Sequence, residues 1–168
     1  MNETRNDKNL SIRLALADDA ELLWNWANDI SVRERSFNQE SIPWETHTAW
    51  FSRQLNSPDT RFYILIENDE PVGQIRYDRA ARGQTAEISF SIAEEKRGRG
   101  YGTEILRLTA ARASADLQCR EIVGFVIEGN EASSKAFLRA GFTTEELIEV
   151  RGQRAFRFVW QSPENLEL

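Results

Sequence analysis

The sequence predicts a mixed α/β domain: one central, mostly antiparallel sheet flanked by helices. Three observations carry that expectation. Apolar runs of strand length, Phe62 to Ile66, Pro71 to Tyr77 and Ala86 to Ile92, follow one another across turns at Asn68-Asp69-Glu70 and Arg82-Gly83, the pattern of successive hairpins. A glycine-rich segment, Lys96 to Gly102, then separates the third run from a long helix and a further strand, the order of a parallel crossover. Two stretches with helical apolar spacing precede the first hairpin.

The elements follow in order. Ser11 to Leu16 reads as a strand by its alternating Ile12 and Leu14. Asp18 and Asp19 offer acceptors to the open amides of a helix over about 19–29, where Leu22 or Leu23, Trp26 and Ile30 recur at helical spacing. Pro43 suits the first turn of a second helix, because its missing N–H would be unpaired there anyway. Trp44, His47, Phe51 and Leu55 form the stripe of that helix, and Ser57-Pro58 ends it. In the third hairpin strand Ile88, Phe90 and Ile92 face one side, and Glu87, Ser89 and Ser91 the other. The long helix turns Leu106, Ala110, Ala113 and Leu117 inward. Glu121 to Ile127 is a strand, Glu131 to Ala140 a short helix and Phe142 to Val150 a strand. The chain then returns from Arg151-Gly152 through Ala155 to Trp160. Residues 1–9 are expected to be a flexible start, 10–162 a single domain and 163–168 a tail.

Composition narrows the function. With 168 residues the chain suffices for one domain with a core. One cysteine and one histidine exclude a disulfide framework, a cysteine-rich metal site and a zinc-binding histidine cluster, so no metal is expected. The 27 acidic and 21 basic residues leave a net charge of −6, which argues against nucleic acid as a partner. No apolar run approaches the roughly 18 residues of a membrane span, and the first residues are too polar for a signal peptide. The expectation is a reduced, cytoplasmic protein with no membrane partner.

Chemistry concentrates in Arg97-Gly98-Arg99-Gly100-Tyr101-Gly102. Glycine permits backbone conformations and close approaches that a Cβ prevents. The open amides at the following helix start can converge on an anion, helped by the helix dipole, with Lys96, Arg97 and Arg99 adding charge. A phosphate or diphosphate ligand suits such a segment; a tight strand-to-helix connection is the other reading. A nucleotide P-loop is excluded because Gly102 is followed by Thr103-Glu104 rather than Lys-Ser or Lys-Thr. A dinucleotide fold is excluded because the chain opens with helices and antiparallel hairpins.

Arg97-x-x-Gly100-x-Gly102 resembles the acetyl-CoA pyrophosphate loop of the GNAT superfamily of N-acetyltransferases. The segment from Asn130 through Ser133 and Phe137 to Gly141-Phe142 is similar to that family's second signature, and the order of elements from Ile12 to about Trp160 resembles its fold. The resemblance implies acetyl-CoA as cofactor, with backbone amides from about Arg99 to Thr103 cradling its pyrophosphate. It also implies a gap between the strands ending near Ile92 and Val126 for the pantetheine arm. Ile92, Arg97, Gly98, Arg99, Gly100, Tyr101, Gly102, Thr103, Asn130, Ser133 and Phe137 are the cofactor-binding residues it implies. Phe137 departs from the family, many of whose members carry there a tyrosine that protonates the leaving thiolate; phenylalanine has no proton to give.

For the acceptor, a carboxylate at the cleft would take the proton of an attacking amine. Glu87 is the candidate, ten residues before Arg97, where several GNAT members carry a catalytic glutamate. The alternatives are an ordinary polar residue on a half-exposed strand, or a partner for Arg76 or Arg79. His47 titrates in a useful range, yet shares a helical face with Trp44, Trp50 and Phe51, so both a catalytic or substrate-binding role and a packed role stay open. Trp24 and Trp26 diverge by about 200° on a helix, so one of them lines a pocket or makes a surface or homodimer contact. Segments around Leu23–Asp29, Ile42–Phe51 and Pro71–Asp78 resemble acetyltransferases of nucleotide-linked amino-dideoxy sugars, including those of pseudaminic acid biosynthesis. That resemblance implies a small amine substrate such as a UDP-linked amino sugar, with Trp26, Arg33, His47 and Arg76 as contacts and the arginines on its phosphates. A ribosomal-protein N-terminus, a polyamine or another small amine is the alternative acceptor, and a non-catalytic CoA-binding protein the alternative function.

Overall fold

A computed structural model describes residues 9–80 and 83–163. The expected flexible start and tail lie outside these residues except at 9 and 163, as does Arg82 of the expected second turn. Seven strands form one sheet: β1 (Leu10–Leu14), β2 (Thr60–Glu67), β3 (Glu70–Arg79), β4 (Thr85–Ile92), β5 (Glu121–Ile127), β6 (Thr143–Val150) and β7 (Gln153–Gln161). Their order is β1-β2-β3-β4-β5-β7-β6, and every neighbouring pair is antiparallel except β4 and β5, which are parallel across the crossover. The expected mixed, mostly antiparallel sheet flanked by helices is therefore the observed one.

The helices are α1 (Ala20–Ala27), α2 (Ile30–Glu34), α3 (Trp44–Leu55), α4 (Tyr101–Leu117) and α5 (Glu131–Arg139). Two details differ from the sequence reading. The Asp19 carboxylate does not cap α1; it accepts from the Arg13 guanidinium at 2.7 and 2.8 Å and from the Leu16 amide at 2.7 Å, and β1 ends before that bend, at Leu14. And α2 is an additional helix: α1 stops at Asn28, whereupon the Asp29 side chain accepts from the Val32 amide and starts a new turn.

Strand alternation distributes the core. Tyr63 and Leu65 of β2, Ile75 and Tyr77 of β3 and Ile88 of β4 pack under Ile105, Leu106, Ala110, Ala113 and Leu117 of α4. Their neighbours Phe62 and Ile64 point the other way, onto Leu23 of α1 and Phe51 of α3. Each face thus buries its own apolar set, and the face under α1 and α3 also carries the polar residues of β3 and β4.

The parallel ladder between β4 and β5 is short. It runs from Thr85 opposite Glu121 to Ile88 opposite Gly124 and stops, while β4 continues to Ile92 and β5 to Ile127. The Phe137 ring of α5 lies at the parting point: a Cβ on Gly124 would sit 2.3 Å from Phe137 Cζ. That ring stacks on Phe158 at 5.0 Å and meets Phe90 and Phe142 edge-on, so glycine is required at 124 for the aromatic cluster to close.

Candidate active site

A cavity of about 1570 Å³ runs from the parted strands across the polar face of β3 and β4 toward α2 and α3. Its floor is set by register: Gln74, Arg76 and Asp78 of β3 lie opposite Ser91, Ser89 and Glu87 of β4, and all six line the cavity. At one end are Gly98, Gly100, Gly102 and Thr103, with Asn130, Ser133 and Phe137 facing them across the gap.

The glycine segment has the conformation its composition calls for. Gly98 and Gly100 take φ of +73° and +85°, which an L side chain adopts at a cost, and Gly100 is the N-cap of α4 without a side-chain cap. A Cβ at either glycine would meet nothing within 4 Å, so the space above the turn is open. The first-turn amides of this 17-residue helix have no intrahelical acceptors beyond the Glu104 N–H bond to Gly100 O at 3.1 Å. Open donors, a dipole and bare backbone together fit a diphosphate. Gly102 serves packing instead: a Cβ there would press on Ala136 at 3.3 Å and Phe90 at 3.4 Å.

The flanking side chains correct several expectations. Lys96 turns back to Glu70 at 3.3 Å and Glu67 at 4.0 Å. Arg97 points its guanidinium at Ser31 and Asp29 rather than over the glycines. Arg99 is exposed and outside the cavity wall, and the Tyr101 side chain is buried with the α4 core. Ile92 borders the gap as expected. Asn130 caps α5, its Oδ1 accepting from the Ser133 amide at 3.4 Å and its Nδ2 donating to Ser133 Oγ at 3.2 Å. Lys135 and Arg139, one turn apart on α5, bring to this end positive charge that the sequence reading did not identify.

On the acceptor side, Glu87 Oε1 accepts from the Arg151 guanidinium at 2.7 Å. Arg76 and Arg79, the partners that one alternative reading gives it, are taken elsewhere: Arg76 Nε donates to Asp78 at 2.5 Å, and Arg79 pairs with Asp59 and donates to the Leu117 carbonyl at 2.6 Å. Arg151 also lies 5.0 Å from the Phe37 ring, and Gln153 donates to the Phe37 carbonyl at 3.1 Å, so the β6–β7 turn and the α2–α3 loop meet over the floor. Trp26 does not reach the cavity; it packs against the α1–α3 core. Trp50 lines the wall in its stead, with the Arg76 guanidinium 4.8 Å above its ring. Its signal was its place one turn after His47. Arg33 braces the α2–α3 loop, donating to the carbonyls of Asn38 at 3.0 Å and Glu40 at 3.4 Å, and burial lowers its pKa.

His47 borders the cavity but is 2 % exposed, stacked on Phe51 and Trp44, and its Nε2–H donates to the Ala20 carbonyl at 2.8 Å. Burial lowers its pKa from 6.5, against a smaller opposing effect of the Ala20 bond. The unfolded chain therefore takes up this proton first. The contribution of His47 to stability is full above 6.5 and is lost as pH falls from there through the folded-state pKa. Urea unfolding of wild type and His47→Phe between about pH 7.5 and 5 should show a decline in the wild type that is shallower in the variant; equal slopes would refute this.

The cavity's lining contains eleven lysines and arginines against three acidic residues, although the chain as a whole is acidic. Among the described residues, no group of His, Cys, Asp and Glu is placed to hold a metal ion, and no helix is long and apolar enough to cross a membrane. A sheet parted beside a glycine-led helix start, with a basic cleft running from it, defines a protein suited to a phosphate-bearing ligand.

Comparison with known proteins gives the family. The Acetyltransferase (GNAT) domain model matches residues 9–143. YwnH of Bacillus subtilis (strain 168), by name a candidate phosphinothricin acetyltransferase, is 30 % identical over 139 residues, 79 % of this chain and 83 % of that protein. The fold is shared with spermidine N-acetyltransferase from Vibrio cholerae in complex with CoA and spermine (TM-score 0.81, 16 % identity, 94 % of this chain and 98 % of that one). It is shared equally with aminoglycoside acetyltransferase AAC(6′)-Ib in complex with coenzyme A (TM-score 0.78, 17 % identity, 91 % and 95 %). The chain belongs to the GNAT acetyltransferases. It is an acetyl-CoA-dependent N-acetyltransferase.

Proposed function

We propose that the single domain over 10–162 acetylates the primary amine of a small acceptor that also carries acidic groups, preferentially the amino group of a nucleotide-linked amino-dideoxy sugar, in the cytoplasm. The charge of the cleft is the observation that carries this reading. Arg33, Arg35 and Arg53 line its acceptor side, and among the described residues none of them pairs with a carboxylate. Uncompensated guanidinium groups attract phosphate or carboxylate and repel a polyamine. The Trp50 face, backed by Arg76, offers a flat surface to a sugar or base. The meeting of the β6–β7 turn with the α2–α3 loop supports an enclosed small molecule over a peptide N-terminus, which would need an open groove.

The chain's own groups then have the following roles. The backbone from about Arg99 to Thr103 holds the diphosphate, and the gap between Ile92 and Val126 receives the arm. Glu87, on the floor, takes the proton of the attacking amine directly or through water. When bound, acetyl-CoA supplies the thioester carbon that the amine attacks. Phe137, buried among rings, donates no proton, so the leaving thiolate relies on solvent or on a hydroxyl such as Ser133 or Ser134.

A second reading, a small acidic amino acid such as phosphinothricin, is favoured by the relative named for that substrate and shares the same chemistry of amine plus acid. Purified protein with acetyl-CoA should be offered UDP-linked 4-amino sugars, phosphinothricin, spermidine, kanamycin and peptide N-termini, with thiol release and product mass recorded. The expected kcat/KM for a UDP-amino sugar exceeds that for spermidine by ~100-fold or more. Selective turnover of spermidine or a peptide would overturn the anionic-acceptor reading; selective turnover of phosphinothricin would replace the sugar and keep the charge argument.

A further inference from the structure

Arg97 belongs to the glycine signature, yet its guanidinium leaves the glycine turn altogether. Nε donates to the Ile92 carbonyl at 3.0 Å, fixing the side chain at the end of β4, where the gap opens. One terminal nitrogen donates to Ser31 Oγ at 2.5 Å, 66 residues away in sequence, and the other pairs with Asp29 Oδ1 at 3.3 Å. These acceptors are themselves joined: Ser31 Oγ donates to Asp29 Oδ1 at 2.5 Å, and the same carboxylate accepts from the Val32 amide at 3.2 Å. Both members are partly shielded, with side-chain exposures of 30 % for Arg97 and 19 % for Asp29. The Ser31 hydroxyl above all, then the Val32 amide and Arg97, hold the Asp29 carboxyl below its usual range.

The pair joins two parts of the site. On one side is the turn through Gly98 and Gly100. On the other is α2, whose Arg33 holds the Asn38 and Glu40 carbonyls and with them the loop that carries Phe37 to Arg151, the partner of Glu87. A series of contacts, joined through the backbone of α2 and of the loop after it, thus leads from the glycine turn to the proposed base. We propose that Arg97 is a positioning residue that couples the cofactor loop to the acceptor wall, so that acetyl-CoA held at the glycines also tightens α2 and the loop after it. The proposal rests on the diphosphate lying at the glycine turn.

Asp29→Asn isolates the coupling, because asparagine still caps α2 while losing the charge that faces Arg97. Amide hydrogen exchange of the full chain should be followed by mass spectrometry with and without saturating acetyl-CoA. In the wild type, saturation should slow exchange at 98–104 and, by ~5-fold or more, at 30–40. In Asp29→Asn the slowing at 98–104 should persist and that at 30–40 should fall to less than ~2-fold. Arg97→Gln should give the same loss at 30–40, and the double variant should be no worse than either single one, as expected of two ends of one contact. Wild-type protection confined to 98–104, or protection at 30–40 that survives Asp29→Asn, overturns the coupling. Absence of protection at both segments overturns the placement of the diphosphate together with it.

Discussion

Gly100→Glu should weaken acetyl-CoA binding by ~100-fold, because a carboxylate would project into the space where the open amides of α4 gather negative charge. A Cβ at that position would meet no protein atom within 4 Å, so it would not clash with the protein itself. The φ of +85° strains any L residue, and Gly100→Ala carries that strain without the charge. Calorimetric titration of acetyl-CoA into wild type and both variants separates the two effects: alanine should cost only several-fold. Comparable tight binding by wild type and Gly100→Glu would remove the diphosphate from this turn.

The second large effect concerns Glu87. Glutamine at 87 keeps the shape of the side chain and an oxygen for the Arg151 N–H, now 2.7 Å from Glu87 Oε1, but loses the basic carboxylate. Transfer to the amine selected by the substrate panel should slow by ~10²–10⁴-fold, with acetyl-CoA affinity unchanged. Arg151→Gln leaves the carboxylate in place and should cost less. A Glu87→Gln rate equal to wild type at every pH, measured with chemistry limiting, would exclude Glu87 as the base.

The legible parts of this site are those governed by local rules. The period-2 pattern of β4 separated Glu87, Ser89 and Ser91 from Ile88 and Phe90, and the structure puts these two sets on opposite faces. The glycines before α4 were legible because φ above zero and a bare helix start leave a compositional mark. The stripe of α4 was legible because it is long. By contrast α2, five residues, is too short to show a period. Trp26 and Trp50 both lie on amphipathic helices, and only the packing of α1 against α3 decides which indole reaches the cavity. The direction of a long charged side chain depends on partners far along the chain. Glu87 meets Arg151 across 64 residues and Arg97 meets Asp29 across 68, and neither pairing has a local signal.

The short parallel ladder between β4 and β5 has a consequence for the lifetime of the protein. Beyond Ile88 and Gly124 the middle of the sheet has two rims with no ladder partner for each other, so the half of the molecule bearing β1 to β4 and the half bearing β5 to β7 are joined there by less than a full seam. Open rims are where sheets fray and where foreign strands add. On the proposed placement, an amide-bearing arm lodged between them would act as a missing rung, and a ligand that binds only the folded chain stabilises it by ~2.7 kcal/mol at a hundred times its Kd. On that placement acetyl-CoA is expected to slow limited proteolysis of the purified chain, and equal cleavage rates with and without it would refute the stabilisation.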